Sequence, residues 1–221
     1  MRAFRFLLIA AGLAVLLAPL ANASVAVRAE VEELAEVACA VADGVVLDHS
    51  VSLDPAAGAI WTSYRVRVGA MLVGDPTKEL VVRTRGGRIG TIEQEVIGSP
   101  ALADGTRVVV FLGPEERGGR EIVALAQGAF RVETDLATGT TTCCNSVAGL
   151  SLVERNGRAA APEPLRMPLT ELIARVATGR GRIDAKRRAA RETTDRRLAA
   201  WRRAAERHST STRGRPGGAA D

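Results

Sequence analysis

The chain has 221 residues, of which 47% are hydrophobic and 25% charged, and it carries a net charge of +5 at pH 7. This length suffices for one domain with a hydrophobic core plus an appendage. After residue 23 no stretch approaches 18 consecutive apolar residues, which excludes a mature protein that crosses a membrane by a helix.

The first 23 residues have the pattern of a secretory signal peptide. Arg2 and Arg5 precede an apolar run over residues 6–18, and residues 21–23 (Ala-Asn-Ala) match a small-x-small cleavage site. The run is shorter than the roughly 20 residues that a bilayer-spanning helix needs. We therefore predict cleavage after Ala23 and a secreted or periplasmic protein. An uncleaved N-terminal anchor is the alternative.

A short helix is predicted next, because the apolar residues of 31–42 recur at intervals of three and four. Its first turns are rich in negative charge, which suits a helix N-terminus. The acidic residues are Glu30, Glu32, Glu33 and Glu36. Cys39 lies on or beside the apolar face.

Strand patterns dominate the middle of the chain. They recur about every 8–12 residues with Gly/Pro turns between them, which is typical of a sandwich or closed barrel. The predicted strands span 41–53, 60–73, 79–84, 89–97, 107–112, 121–126 and 129–133. We expect a core formed by Val46, Tyr64, Val66, Val68, Val82, Ile92, Val109, Phe111, Val123 and Phe130.

Three cysteines remain after cleavage, at Cys39, Cys143 and Cys144. In an oxidising compartment an odd number predicts one disulfide and one free or intermolecular thiol. The Cα atoms of adjacent residues are about 3.8 Å apart, which is below the usual disulfide range. We therefore predict that Cys39 pairs with Cys143 or Cys144, and the choice between the two is open.

The C-terminal part is predicted to be a linker at 159–168, an amphipathic helix from 168 to 176, and a second helix from 184 to 207. Gly179 and Gly181 separate the two helices. The predicted organisation is a signal peptide at 1–23, a β-barrel domain with flanking helices at 24–178, and a basic helical tail with a disordered end at 179–221. We expect the tail to be dispensable for folding.

Residues 41–133 carry a series of turn and strand motifs that belong together. They are Val45-Val46, Val73-Gly74, Gly86-Gly87 with Gly90, Gly98-Ser99-Pro100, Gly105 with Phe111-Leu112, and Gln127-Gly128-Ala129-Phe130. In these motifs the chain resembles an uncharacterised family of exported bacterial β-barrel domains, similar to OB-like domains of the tissue-inhibitor and netrin-module type. The resemblance covers under half of the chain. It implies a mainly β fold, an OB-like antiparallel β-barrel with a short N-terminal helix and C-terminal helices, and no activity.

Residues suited to catalysis are few. Asp48, His49 and Ser50 have the residue types of a hydrolase triad, but neighbours on a strand point to opposite faces. The three cysteines with His49 could bind a metal, or a cysteine could act as a nucleophile, although no ligand spacing supports this. Residues 86–90 predict a tight hairpin rather than a phosphate loop, because the Lys and Ser/Thr of a P-loop are missing. We expect no enzyme, metal or cofactor.

The charge is divided unevenly between body and tail. Residues 24–167 hold 14 basic against 19 acidic residues, whereas residues 168–221 hold 14 against 6. Such asymmetry is typical of a tail that binds an anionic partner. The alternative is a solvated helix from a GC-rich genome, since arginine outnumbers lysine 28 to 2.

The candidate residues for binding an anionic partner are Arg187, Arg188, Arg191, Arg196, Arg197, Arg202 and Arg203. An exported protein meets anionic lipids and cell-surface polymers, whereas intracellular nucleic acid is the wrong partner. We predict a non-enzymatic binding or inhibitory module with an unknown protein partner. The alternative is a structural, tethering protein whose arginine-rich tail binds anionic envelope material.

Overall fold

The computed structural model describes residues 24–212, and the side-chain surroundings of residues 24–198. The predicted signal peptide lies outside these residues. The strands are β1 (Ser24–Val27), β2 (Ala40–Asp54), β3 (Ala59–Val73), β4 (Glu79–Arg85), β5 (Gly87–Ile89), β6 (Ile92–Gln94), β7 (Arg107–Glu116), β8 (Gly119–Ile122), β9 (Ala129–Thr134), β10 (Thr141–Asn145), β11 (Leu150–Val153), β12 (Ala159–Ala160) and β13 (Arg166–Pro168). The helices are α1 (Val31–Val37), α2 (Leu169–Thr212) and a short 3-10 helix (Leu125–Gly128). The predicted mainly β class is confirmed.

Five strands hydrogen-bond in a cycle, which we call the five-strand ring. β2 pairs with β3 and β7, β3 pairs with β4, and β8 pairs with both β4 and β7. Each strand therefore has two neighbours within the ring, as in an OB-like barrel. Within the ring, the expectation of antiparallel pairing fails at one place, because β4 and β8 run parallel through Val82↔Arg120 and Arg83↔Glu121.

The sheet continues beyond the ring through β9, β10 and β13, while β1 pairs in parallel with β11. No strand is predicted between residues 133 and 145 and a linker is predicted at 159–168, whereas the structure has β10 in the first of these segments and β12 and β13 at the two ends of the second. β10 reads Thr-Thr-Cys-Cys-Asn and β13 is three residues long. Neither is long or apolar enough to show a period, so their pairing depends on neighbours distant in the chain.

Two hydrophobic clusters share β7. Val108, Val110 and Leu112 belong to the cluster inside the ring, whereas Val109 and Phe111 belong to the cluster beneath α1 and α2. This alternation follows from the two-residue period of a strand. It explains why residues 107–112 are nearly continuously apolar.

The expected core is confirmed with one exception. Val46, Tyr64, Val66, Val82, Val109, Phe111 and Phe130 are buried, and Val68 and Val123 pack against the clusters. Ile92, in contrast, is 66% exposed. It lies on β6, which pairs only with β5 in a separate two-stranded hairpin. Because this hairpin does not extend the ring, its alternation buries nothing.

The Gln-Gly-x-Phe motif joins the N-terminal strand to the body. Gln127 is buried; its Oε1 accepts a hydrogen bond from the Ala29 amide at 2.9 Å, and its Nε2 donates to the Val27 carbonyl at 3.1 Å. The Asn145 side chain donates to the Gln127 carbonyl at 3.1 Å. A Cβ on Gly128 would lie 2.2 Å from a backbone oxygen. The motif therefore serves packing and hydrogen bonding.

Residues 169–212 form one helix rather than the predicted two. Gly179 does not break it; the residue is buried, and a Cβ there would lie 2.4 Å from the Glu32 carbonyl oxygen of α1. Glycine costs about 1 kcal/mol in a helix interior relative to alanine. Here it allows α1 and α2 to approach closely.

The packed part of α2 extends to Lys186, eight residues past the expected domain boundary at Thr178. A protein ending at Lys186 is expected to melt within a few degrees of the full-length protein. A protein ending at Thr178 also loses Arg180, whose hydrogen bonds to the last carbonyls of α1 we expect to contribute about 1–2 kcal/mol, or roughly 2–8 °C. Thermal unfolding followed by circular dichroism measures both. Equal melting of the two truncated proteins would contradict this boundary.

Candidate functional sites

Basic residues of α2 bind three glutamates at the start of α1 or within it, namely Glu30, Glu32 and Glu36. Arg175 contacts Glu32 at 2.7 Å and Glu30 at 2.8 Å, and its guanidinium lowers the pKa of Glu32 through a side-chain hydrogen bond. Lys186 contacts Glu36 at 2.6 Å and lowers the pKa of that carboxyl in the same way. The first turns of α2 are therefore neutralised by α1.

Arg180 caps the end of α1. Its Nη1 donates to the carbonyl oxygens of Ala35 at 3.4 Å and Ala38 at 3.3 Å. These carbonyls lie at the negative end of the helix, where a cation is favourable. Arg180 therefore belongs to the helix contact and is not available to an external partner.

Beyond Lys186 the helix leaves the body. We call residues 187–212 the projecting segment. Five of the predicted binding residues are exposed there, namely Arg187, Arg188, Arg191, Arg196 and Arg197. Arg202 and Arg203 lie on the same helix, and their side chains fall outside the described ones. Within residues 187–198 the one ion pair is Arg196 with Glu192 at 3.8 Å.

The arginines of the projecting segment surround its axis. With 3.6 residues per turn, Arg187 and Arg191 lie about 40° apart around the helix axis. Arg196 lies on the side opposite Arg187, and Arg197 lies between Arg187 and Arg196. Positive charge therefore lies on every side of the projecting segment. Leu198 is 45% exposed. A helix that is polar all round suits electrostatic contact rather than insertion into lipid.

The three cysteines are free in the structure, so the predicted disulfide is wrong. The sheet register places Cys144 of β10 three strands away from Gly44 of β2. The residues opposite one another on the strands between them are Arg131 of β9 and Val108 of β7. Cys39 lies five residues before Gly44. The Cα atoms of Cys39 and Cys144 are therefore about 16 Å apart along the strand direction. Across the sheet they are separated by three strand spacings of about 5 Å each. A disulfide needs Cα atoms within about 6.8 Å.

Cys143 and Cys144 have different surroundings because neighbours on β10 face opposite sides. Cys143 is 1% exposed in the cluster beneath the helices, and its Sγ donates to the Met167 carbonyl at 3.3 Å. Burial raises the pKa of this thiol to about 11. Cys144 is half-buried, and Cys39 is exposed. Cys143 is therefore a core residue.

Cys144 borders a cleft of about 500 Å³ between the ring and β10. Its floor is apolar and includes Leu102, Val108 and Ala129, all of which are buried. Arg131, Glu133 and Arg166 also line it and are exposed, and Arg131 contacts Glu133 at 3.1 Å. A cleft of this size with an apolar floor can accept a small ligand or a short peptide segment, and Arg166, which forms no ion pair among residues 24–198, can bind an acidic group of that ligand. No sequence motif marks it, because its residues come from separate strands and loops.

The candidate catalytic residues do not converge. Asp48 binds Arg65, whereas the Nδ1 of His49 lies 2.9 Å from Asp104. Residues 86–90 enter the β5–β6 hairpin as predicted, with Gly86 at φ +100° where other residues are strained. Within residues 24–198, no three His, Cys, Asp or Glu side chains are placed to hold a metal ion.

The sequence analysis missed Arg175, Arg180 and Lys186 as contacts of α1. The signal was present, because an acidic helix and a basic helix on one chain are complementary. The sequence did not show that the two helices pack side by side, because the contacting residues are about 145 positions apart in the chain.

A scan against protein-family models found no match, and a search of curated proteins found none either. Within the part of the chain that the structure describes, we find no helix with the length and hydropathy needed to cross a membrane. The functional interpretation therefore depends on the residues and their geometry.

Proposed function

We propose that the protein is an exported, non-enzymatic binding module that attaches to anionic envelope material through the projecting segment. Export is supported by the signal-peptide pattern of the first 23 residues. The observation that carries the proposal is the division of α2 at Lys186. Before that residue its cations are bound by α1, and after it the described arginines face solvent.

The division argues for a role of the projecting segment beyond stability. Arginines that serve the fold are paired here at distances of 2.7–2.8 Å, as at Arg175. The arginines of 187–198 bury little surface, so folding gains little from them. Each basic residue close to an anionic membrane contributes about 1 kcal/mol of attraction. The segment holds eight arginines and three acidic residues between 187 and 212, and the arginines on the side that faces the membrane would attach the protein without a lipid-inserted helix.

The body is the part that we propose to hold a partner. The cleft beside Cys144 supports this, because it combines a buried apolar floor with an exposed arginine, Arg166, that forms no ion pair among residues 24–198. Such a site fits a protein segment that carries an apolar side chain next to a carboxylate. The basic helix would then keep the partner close to the envelope.

The attachment is tested by sedimentation with lipid vesicles at low salt. The mature full-length protein is expected to sediment with phosphatidylcholine vesicles that contain phosphatidylglycerol, and not with phosphatidylcholine alone. A protein ending at Lys186 keeps the paired cations and should remain in the supernatant.

Two outcomes contradict the proposed attachment. One is equal sedimentation of the protein ending at Lys186, and the other is equal sedimentation with neutral vesicles. A column carrying an anionic polysaccharide, run with the same two proteins, separates polymer binding from lipid binding.

A further inference from the structure

Trp61 lies on the outer face of the five-strand ring and is nevertheless covered. Tyr64 and Val66 of the same strand face the ring interior, so Trp61 faces outward by alternation. It is only 4% exposed. The covering groups include the guanidinium groups of Arg83 and Arg85 from β4, whose Cζ atoms lie 4.4 and 5.1 Å from the ring centroid. We call these three residues the Trp61 cluster.

The Trp61 cluster contains donors without an acceptor. The indole Nε1 is buried and has no hydrogen-bond partner among the described residues. A buried indole N–H normally finds one. The indole N–H is therefore a buried donor without an acceptor, in a side chain that contacts two guanidinium groups.

The two arginines also lack an anion. Among residues 24–198 no carboxylate lies within ion-pair distance of Arg83 or Arg85, and the Asp54 carboxylate is bound by Arg117 at 2.7 Å. Arg83 donates only to the Arg117 carbonyl, at 3.5 Å. Two like charges on one indole ring repel each other, and a bound anion would relieve that repulsion.

We propose that the Trp61 cluster is an oxyanion-binding site that takes a phosphate, sulfate or carboxylate group. Guanidinium groups bind such groups through two parallel hydrogen bonds, and the indole N–H supplies a third donor. The cluster lies on the ring and shares no residue with the projecting segment. Anion binding by the Trp61 cluster is therefore independent of the membrane attachment proposed above.

The indole N–H resonance of Trp61 reports the binding directly. The mature protein has two tryptophans, Trp61 and Trp201, and Trp201→Phe assigns the two signals. Inorganic phosphate, sulfate and acetate are titrated separately at constant ionic strength against chloride. The Trp61 signal is expected to shift downfield and saturate, and the anion with the lowest dissociation constant identifies the preferred group.

A double variant, Arg83→Lys with Arg85→Lys, keeps both charges and the aliphatic stem of residue 83 that packs on Gly119. It is expected to weaken binding at least about tenfold, because an ammonium group cannot form the paired hydrogen bonds. Arg67→Ala removes an exposed arginine from the same strand face and should leave binding unchanged. The absence of a saturable shift, or equal affinity in the double lysine variant, overturns the proposal.

Discussion

Replacing Phe111 with alanine is expected to lower the free energy of unfolding by about 3–5 kcal/mol. Phe111 is fully buried on β7, and its ring lies 5.8 Å from that of Phe130 at an angle of 54°. Leu34 of α1 and Leu172 of α2 belong to the same cluster. The substitution therefore leaves a cavity between the sheet and both helices, which cannot collapse without moving α1 or α2.

Denaturant unfolding measures this loss, and Ile92→Ala is the matched control. It also removes a large apolar side chain, but from a position that is 66% exposed, so we expect a change below about 1 kcal/mol. A loss below about 1 kcal/mol at Phe111 would mean that the assigned facing of β7 is incorrect.

The second large effect is expected from Gly179→Leu, at about 1–3 kcal/mol of lost stability. The new Cβ would lie 2.4 Å from the Glu32 carbonyl oxygen and 2.9 Å from the Ala35 Cβ, so α1 and α2 must separate. Separation also weakens the contact of Arg175 with Glu32. The intrinsic gain in helix propensity, below about 1 kcal/mol, does not offset this.

Gly181→Leu provides the control two residues later on the same helix. A Cβ at Gly181 meets nothing within 4 Å, so the substitution should raise stability by up to about 0.8 kcal/mol through helix propensity alone. Denaturant unfolding of the two variants therefore gives changes of opposite sign. Changes of the same sign would show that Gly179 is not a contact between the helices.

The long strands were predictable because each is buried on one face or on both. β3 alternates over its middle, with Tyr64 and Val66 inward and Arg65 and Arg67 outward. The short strands β10 and β13 were not predictable, because a cover formed by distant residues buries them. Cys143, for instance, is a core residue only because α2 packs over it.

The exposure of the arginines in the projecting segment could be predicted from the sequence, but the contacts between α1 and α2 could not. Arginines of the projecting segment are exposed, which is the default state of a charged side chain. Gly179 was interpreted as a helix break, because local propensity contains no information about the close approach of α1. The predicted disulfide was wrong because the register between β2 and β10, which separates Cys39 from Cys144, is a property of the assembled sheet.

The central claim is that the arginines of the projecting segment attach the protein to anionic material. The most direct test is the affinity for phosphatidylglycerol-containing vesicles as a function of salt, for two variants of equal net charge. One replaces five arginines of the segment with glutamine, at Arg187, Arg188, Arg191, Arg196 and Arg197. The other replaces five exposed arginines of the body, at Arg67, Arg88, Arg117, Arg131 and Arg158.

Attraction near the membrane is worth about 1 kcal/mol per basic residue. Because the arginines surround the helix axis, about three of the five can lie close to the membrane at once, so the segment variant should bind roughly 100-fold more weakly at low salt. Its affinity should also depend less on salt, because fewer charges are left to be screened. The body variant should retain most of the affinity and the full salt dependence. Equal affinities and equal salt dependence of the two variants would contradict the claim.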